Sequence, residues 1–432
     1  MTLRAIRGDF LHCLADPGPS GASCTALADG VLLVRDGRID SLRPAAAALA
    51  ELGAGVPVDD WRGRLIVPGF VDTHAHYPQV DVIASHAPGL LEWLERYTFP
   101  AERQFAERAH ADAAAEFFLD RLIEHGTTTA AVFCTVHPQS AEALFEAAAK
   151  RDLRLIGGKC LMDRHCPEDL RDTAESGYRD SKALIERWHG RGRLGYAITP
   201  RFAPTSTPEQ LAACGRLARE HPDAWIQSHV AENKAEIAWA RELFPEARSY
   251  LDVYDRAGLL RERAIYGHCI WLDDTDRARM AASGAAAAFC PTSNLFLGSG
   301  LYDYAQARAA GMKTGLATDV GGGTSYSMLV TLAEGYKVQQ LLGSTLHPAQ
   351  LLYLATLAGA QALGLDDRIG NFLPGKEADF CVLDPGATPV LGRRTGLRED
   401  LLDRFFSLVQ LGGNHASAVS YILGRPCKGA GT

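Results

Sequence analysis

The 432-residue chain is predicted to be an α/β protein, a (β/α)8 TIM-like barrel with a small β-sandwich domain built from both chain termini. Between residues 69 and 319, eight short apolar segments alternate with helical segments, which is the count of a closed barrel. Outside this stretch the pattern changes to period-two runs such as GVLLVRDGRID, in which DG marks a hairpin turn. We therefore expect residues 1–67 and 375–432 to form the β-sandwich domain and residues 68–374 to form the barrel.

The predicted barrel strands are short and mostly apolar, as parallel strands covered by helices on both faces must be. They cover residues 69–76, 127–133, 153–160, 195–200, 224–230, 263–269, 285–291 and 313–319. The seventh, AAAAFCP, is the weakest prediction, because alanine favours helices. Helices are predicted at 107–125, 140–150, 208–221 and 275–283. Gly126 would end the first of these helices, and Ser140 would cap the second.

Composition excludes several classes of function. The chain carries 44 basic and 52 acidic residues, a net charge of −8, and no dense basic patch, which argues against a nucleic-acid backbone as its main partner. No run of about 18 apolar residues and no signal-peptide core occur, so we expect a cytoplasmic protein without a membrane span. The ten cysteines include no CxxC pair and are predicted to be reduced rather than disulfide-bonded.

Histidine and aspartate side chains recur where the predicted barrel strands end. His74 and His76 end the first strand, and residues two apart on a strand point to the same side. His229 ends the fifth strand, His268 the sixth and Asp319 the eighth. Because the carboxyl ends of barrel strands surround the active-site mouth, these side chains are predicted to meet there. Imidazole and carboxylate groups are ligands for divalent metals such as zinc.

This set of residues predicts a mononuclear metal site. His74, His76, His229 and Asp319 would bind the ion, and a water would fill the remaining position with its pKa lowered towards ~7. A dinuclear barrel site usually needs a bridging lysine at the end of the fourth strand, and none occurs there. The sequence leaves open whether His268 is a fifth ligand or a hydrogen-bond partner.

Glu232 follows His229 by three residues, at the offset expected of a proton shuttle just outside the metal ligands. Such a carboxylate takes a proton from the metal-bound water and passes it to the substrate. This predicts hydrolysis at an electron-poor carbon whose neighbouring nitrogen must gain a proton. Glu232, Asp319 and His268 are therefore the predicted catalytic residues.

Several motifs resemble those of a known family. PGFVDTHAH (68–76) and PGKEADF (374–380) are similar to segments of the amidohydrolase superfamily, and the resemblance extends over nearly the whole chain. HYPQ (76–79), LLEWLERYTFPAE (90–102) and TPRFAPT (199–205) resemble, more narrowly, the guanine deaminases in the metal-dependent deaminase branch.

The resemblance implies a purine-catabolic hydrolase that converts guanine to xanthine and ammonia. A metal-bound hydroxide would attack carbon 2 of guanine, and Glu232 would protonate ring nitrogen 3. The resemblance also implies one Zn²⁺ per chain, although Fe²⁺ suits the same ligands, and a homodimer.

The resemblance also implies roles in substrate binding. Gln79 would hydrogen-bond the guanine edge through its amide, which both donates and accepts. Arg201 would contact the carbonyl oxygen of the purine, and Phe202 would pack on its ring. Trp93 and Leu94 would help to form a lid over the ring.

Two alternatives stay open at this point. One is a deaminase of another amino-heterocycle, such as 8-oxoguanine, a pterin or an aminotriazine, since the metal chemistry would be the same. The other, more remote, is a barrel that serves as a non-catalytic binding module. A zinc deaminase of the nucleic-acid-editing type is disfavoured, because its PCxxC element does not occur in the chain.

Overall fold

A computed structural model describes residues 2–53, 55–396 and 400–427 of the chain. In this part the strands are β1 Leu3–Cys13, β2 Cys24–Arg35, β3 Arg38–Pro44, β4 Val58–Pro68, β5 Phe70–His76, β6 Thr127–Phe133, β7 Arg154–Gly158, β8 Cys160–Leu161, β9 Leu194–Pro200, β10 Trp225–Val230, β11 Ala264–His268, β12 Ala286–Phe289, β13 Lys313–Leu316, β14 Phe380–Leu383, β15 Ser417–Ile422 and β16 Arg425–Cys427. None of the helices in the described residues has the length and apolar character of a membrane span.

The α-helices of the described residues are α1 Ala45–Ala50, α2 Leu90–Trp93, α3 Phe99–Arg103, α4 Arg108–Glu124, α5 Pro138–Lys150, α6 Ala174–Trp188, α7 Pro208–Glu220, α8 Lys234–Leu243, α9 Tyr250–Arg256, α10 Asp274–Ser283, α11 Pro291–Phe296, α12 Tyr304–Ala309, α13 Met328–Leu341, α14 Pro348–Ala355, α15 Leu357–Ala362, α16 Pro389–Thr395 and α17 Leu401–Leu411. A π-helical segment, Leu94–Thr98, joins α2 to α3. Thr207 caps α7 and Asp273 caps α10 by accepting a backbone N–H with the side chain, as short polar residues do at helix starts.

The predicted (β/α)8 barrel is confirmed. Its strands neighbour one another in the order β5, β6, β7, β9, β10, β11, β12 and β13, and β8 pairs with β9. The barrel is nearly closed between its last and first strands. There the Thr73 hydroxyl donates to the Leu316 carbonyl over 2.9 Å, and the Asp319 N–H donates to the His74 carbonyl over 2.9 Å.

Strands from both ends of the chain form a separate sheet in the order β16, β15, β14, β4, β1, β2 and β3, which confirms the predicted contribution of both termini. Its described pairs are antiparallel except for β1 with β4. Both faces are apolar, since alternate residues of β1 and β2 enter different cores. One core contains Ala5, Val31, Leu33, Ala45 and Ala48, and the other contains Ile6, Phe10, Leu32, Val34, Phe380 and Tyr421.

By packing, the described residues divide into two compact units. One lies within Met1–Asp72, Asp120–Thr129 and Tyr326–Thr432, and the other comprises Thr73–Leu119 and Ala130–Ser325. The domain boundaries expected from the sequence were drawn where the strand pattern changes, whereas these two units are defined by packing. The expected boundaries therefore stay a prediction.

Two local predictions were wrong. Cys13 and Cys24 form a disulfide, because antiparallel pairing of β1 with β2 places them opposite each other with their Cα atoms 4.0 Å apart. The other eight cysteines are free thiols, six of them buried, as expected. Ser140 does not cap its helix, which begins earlier, at Pro138. Its hydroxyl instead accepts the Thr135 N–H over 3.1 Å.

Candidate active site

Three imidazole nitrogens and a carboxylate oxygen converge at the carboxyl ends of the barrel strands. The Nε2 atom of His76 lies 3.2 Å from Nε2 of His74 and 3.1 Å from Nε2 of His229. Oδ1 of Asp319 lies 3.4 Å from Nε2 of His74 and 3.5 Å from Nε2 of His76. The structure therefore brings together the four residues that the sequence predicts as metal ligands.

The hydrogen bonding of His229 indicates that this cluster suits a cation. Its Nδ1 atom lies 2.6 Å from the Arg201 carbonyl oxygen. A carbonyl only accepts, so Nδ1 carries the hydrogen, and Nε2 of the neutral ring directs a lone pair at Nε2 of His76. A cation at this position would accept that lone pair. The donor set of imidazoles and a carboxylate is typical of zinc and similar divalent metals.

The electrostatics of the cluster favour the protonation states that bind metals. Burial holds the pKa of His76 and of His229 well below the ordinary value, and it also lowers the pKa of His74. Burial opposes ionisation of Asp319, but its interactions with His74 and with the other imidazoles outweigh burial and lower its pKa to about 2. Neutral imidazoles and an ionised carboxylate are the forms that coordinate metal ions.

His268 lies between the ligand cluster and Glu232. Its Nε2 atom is 3.3 Å from Oε2 of Glu232 and 3.8 Å from Oδ2 of Asp319, and its Nδ1 atom is 2.8 Å from Oδ1 of Asn294. Burial works against the charged ring, but the two carboxylates outweigh it, and the pKa of His268 is raised. A nitrogen of His268 also lies within 4.8 Å of ligand nitrogens of His74 and His229.

Glu232 is almost completely buried, and a hydroxyl group fixes one of its oxygens. The Ser299 hydroxyl donates a hydrogen bond to Oε1 over 2.7 Å, and the other oxygen, Oε2, faces His268. Burial raises the pKa of Glu232 above its ordinary value. Glu236 holds the backbone in place, because its carboxylate accepts the N–H groups of Glu232 and Asn233 over 3.2 and 3.1 Å.

Unusual backbone conformations occur at two strand ends of the site. His268 and Asp319 have positive φ angles of 72° and 50°, in a region that side chains other than glycine rarely adopt. Such conformations cost energy and concentrate at functional sites. Just before His268, a Cβ at Gly267 would lie 2.8 Å from Cε1 of the His74 ring. Only glycine therefore lets β11 approach the His74 ring so closely.

A cavity of about 410 Å³ opens onto the cluster. Its lining includes the five residues predicted to bind substrate, which are Gln79, Trp93, Leu94, Arg201 and Phe202. It also includes His76, His229, Glu232, His268 and Asp319. The indole N–H of Trp93 is buried and has no hydrogen-bond partner among the described residues. A ligand in the cavity would therefore meet both polar and apolar groups, as is usual for small-molecule sites.

Comparisons with known proteins agree with this geometry. A family model described as the amidohydrolase family matches residues 65–413. The chain is 47% identical over 427 residues to the guanine deaminase of Escherichia coli (strain K12). The aligned region covers 98% of this chain and 97% of that protein. The chain belongs to the amidohydrolase family, and within it to the guanine deaminases.

Solved structures of guanine deaminases are also similar to this amidohydrolase. The structure of the E. coli guanine deaminase superposes with a TM-score of 0.97 at 47% identity, over 99% of both chains. A guanine deaminase from C. acetobutylicum, with guanine bound in its active site, superposes with a TM-score of 0.89 at 27% identity. That match covers 99% of this chain and 100% of the other.

Sequence reasoning missed several residues of this site. Asn294 follows the seventh barrel strand, where polar residues after the strand end were a usable signal. Glu102 belongs to a motif quoted for the family resemblance, but it received no role. Glu236 had a local signal that was not used, because Asn233 and Glu236 have the spacing of a capping box at the start of α8. Ser299 carries no local signal, since only the fold brings it to Glu232, 67 residues away in the chain.

Proposed function

We propose that the chain catalyses the hydrolytic deamination of guanine to xanthine and ammonia. The observation that carries this proposal is the convergence, in one cavity, of a metal-binding cluster, a buried carboxylate and two side chains suited to the purine edge. Membership in the guanine deaminases supports the choice of guanine over other amino-heterocycles.

His74, His76, His229 and Asp319 would bind one metal ion, with His268 beside it as a fifth ligand or as a hydrogen-bond partner. We propose Zn²⁺, on the basis of the family resemblance, while Fe²⁺ suits the same ligands. When bound, such an ion makes a water molecule nucleophilic near neutral pH.

Glu232 would move the protons of the reaction. It accepts one from the attacking water and delivers it to nitrogen 3 of guanine as the oxygen adds to carbon 2. It then takes the proton that remains on the added oxygen and passes it to the amino group. The bond from carbon 2 to that nitrogen breaks, ammonia leaves, and the oxygen becomes the carbonyl of xanthine. Asp319 and His268 would orient the reacting oxygen, since Nε2 of His268 lies 3.3 Å from Oε2 of Glu232 and 3.8 Å from Oδ2 of Asp319.

The cavity would hold guanine by its edge and by its face. Gln79 and Arg201 supply hydrogen bonds to the edge, and Phe202 packs on the ring. Trp93 and Leu94 cover the ring, and their segment also packs against Phe99 and Phe133. Exclusion of water by such a lid strengthens the hydrogen bonds inside.

The first test is ammonia release from guanine by the purified protein, with bound metal quantified in the same sample. A panel with 8-oxoguanine, a pterin and an aminotriazine distinguishes guanine from its analogues. We expect chelation to abolish activity and added Zn²⁺ to restore it. A chain without bound metal that no metal activates would instead support the non-catalytic module.

Glu232→Gln tests the proton shuttle. We expect this variant to bind metal and guanine as the wild type does but to lose nearly all turnover, at least about 100-fold in kcat. Glu242→Gln is the matched control, because Glu242 is exposed on α8, the helix that follows Glu232 in the chain. Full activity of Glu232→Gln would refute the role.

The cytoplasmic location, the homodimer and the place in purine catabolism stay predictions. Light scattering after size-exclusion chromatography tests the homodimer, and fractionation of cells tests the location.

A further inference from the structure

A buried carboxylate stands behind the two side chains that would read the purine edge. Glu102, on α3, is only 1% exposed and does not line the cavity. Its oxygens accept hydrogen bonds from Nη1 of Arg201 over 2.8 and 2.6 Å. Oε1 also accepts from the amide nitrogen of Gln79 over 3.2 Å. Glu102 therefore joins Gln79 to Arg201, from a position 99 residues before the arginine.

The chemistry of a carboxylate fixes which way the Gln79 amide turns. An ionised carboxylate only accepts hydrogen bonds, so the NH₂ group of Gln79 must face Glu102. The carbonyl oxygen at the other end of the amide is then left for a ligand in the cavity. Without the carboxylate, the two orientations of an amide differ little in shape, and Gln79 could present either a donor or an acceptor.

The same carboxylate fixes Arg201. Among the described residues, this guanidinium uses only Nη1 for its protein hydrogen bonds, so the N–H groups of Nη2 and Nε remain for a ligand. Arg201 is 2% exposed, and a charge buried to that extent needs a partner. Glu102 is this partner, and together the two side chains carry no net charge. A neutral pair suits an uncharged purine base in the cavity.

We propose that Glu102 is a positioning residue that sets substrate specificity, by making Gln79 an acceptor and Arg201 a donor. This arrangement selects a purine whose edge carries a ring N–H beside a carbonyl oxygen, which is the N1–H and O6 edge of guanine. It disfavours the reverse edge, an acceptor nitrogen beside an amino group. The inference rests on the proposed function, since it assumes that Gln79 and Arg201 face the substrate.

The test compares guanine with 2,6-diaminopurine. Both carry the 2-amino group that water would replace, but 2,6-diaminopurine has an acceptor at N1 and an amino group at position 6. The ratio of their kcat/KM values therefore reports the hydrogen-bond pattern of the cavity rather than the chemical step. Glu102→Gln keeps the size of the side chain and lets it donate, which frees the Gln79 amide to turn.

We expect Glu102→Gln to lower the preference for guanine over 2,6-diaminopurine by about tenfold or more, with most of the loss for guanine in KM. Glu102→Asp keeps an acceptor-only group and should largely retain the preference. Glu92→Gln, an exposed carboxylate on α2, is the control and should leave both substrates unaffected. Metal content should stay equal in all of them.

An unchanged preference in a folded, metal-loaded Glu102→Gln protein would overturn the proposal, whether or not overall activity falls. Should that variant not fold, Gln79→Leu removes the acceptor directly and must lower the same preference, and an unchanged ratio there also overturns it. A wild-type protein that releases ammonia from neither purine would contradict the proposed function itself. The two failures are therefore distinguishable.

Discussion

Single hydrogen bonds hold three side chains of the site in one orientation. The Arg201 carbonyl fixes the His229 ring, Asn294 fixes His268, and the Ser299 hydroxyl fixes Glu232. None of these contacts reaches the substrate. Such supporting contacts determine whether a reactive group stands at the correct atom when the reaction begins.

Ser299→Ala should lower kcat by about tenfold, because it removes a hydrogen bond to the buried carboxylate that is proposed to transfer the protons. Metal content should not change, since Ser299 does not contact the predicted ligands. Steady-state kinetics with metal analysis measures both. Ser299→Thr keeps a hydroxyl and should recover much of the activity, and the exposed Ser20→Ala serves as a control. A wild-type kcat for Ser299→Ala would show that this hydrogen bond is unimportant.

At the scale of elements, the site depends on how closely the barrel strands approach one another. β11 passes next to the His74 ring of β5, and Gly267 makes this approach sterically allowed. His268, which follows Gly267, adopts a left-handed conformation. A small residue followed by a strained one therefore places two imidazoles together.

Gly267→Ala should weaken metal binding by about tenfold. The new Cβ would lie only 2.8 Å from Cε1 of His74, so the His74 ring would have to move away from its present position. Competition with a chromophoric chelator measures the affinity, and ammonia release from guanine measures the accompanying loss of activity. Gly53→Ala is the matched control, since a Cβ there meets nothing within 4 Å. Equal metal affinity in Gly267→Ala and the wild type would contradict this steric explanation.

At the scale of the whole molecule, stability should depend on pH through a histidine far from the site in sequence. His12, on β1, is 5% exposed, and its Nδ1 atom accepts the Phe372 N–H over 3.4 Å. Burial, with a smaller contribution from Lys376, lowers its pKa from 6.5 to about 4. The folded protein therefore resists protonation of this ring at pH values where the unfolded chain accepts it.

We expect the free energy of unfolding to fall between pH 6.5 and about 4, with ~3 kcal/mol of the loss due to His12. In this window the unfolded chain binds a proton that the folded chain does not, so acid favours unfolding. Above pH 6.5 the group contributes no slope. Urea unfolding at several pH values measures the effect, and His12→Leu should flatten it. The same slope in the variant and the wild type would assign the effect to other groups.

How far the sequence predicts this fold depends on the range of the interaction concerned. Runs of buried apolar residues located all eight barrel strands to within a few residues, because burial on both faces leaves a local pattern. The alanine-rich seventh strand was uncertain, since propensity favoured a helix. This segment forms the strand β12 because its residues pair with neighbouring strands on both sides. Ala287 of β12 lies opposite Tyr266 of β11 and opposite Thr314 of β13.

Residue type and spacing along single strands were enough to predict the barrel and the strand ends that carry the candidate metal ligands, because both are local properties of the chain. Which groups lie behind those ligands depends on how separate elements pack. Glu102 meets Arg201, Ser299 meets Glu232, and Cys13 bonds to Cys24. These contacts leave no periodic signal, because they depend on how separate elements pack rather than on neighbours in the chain.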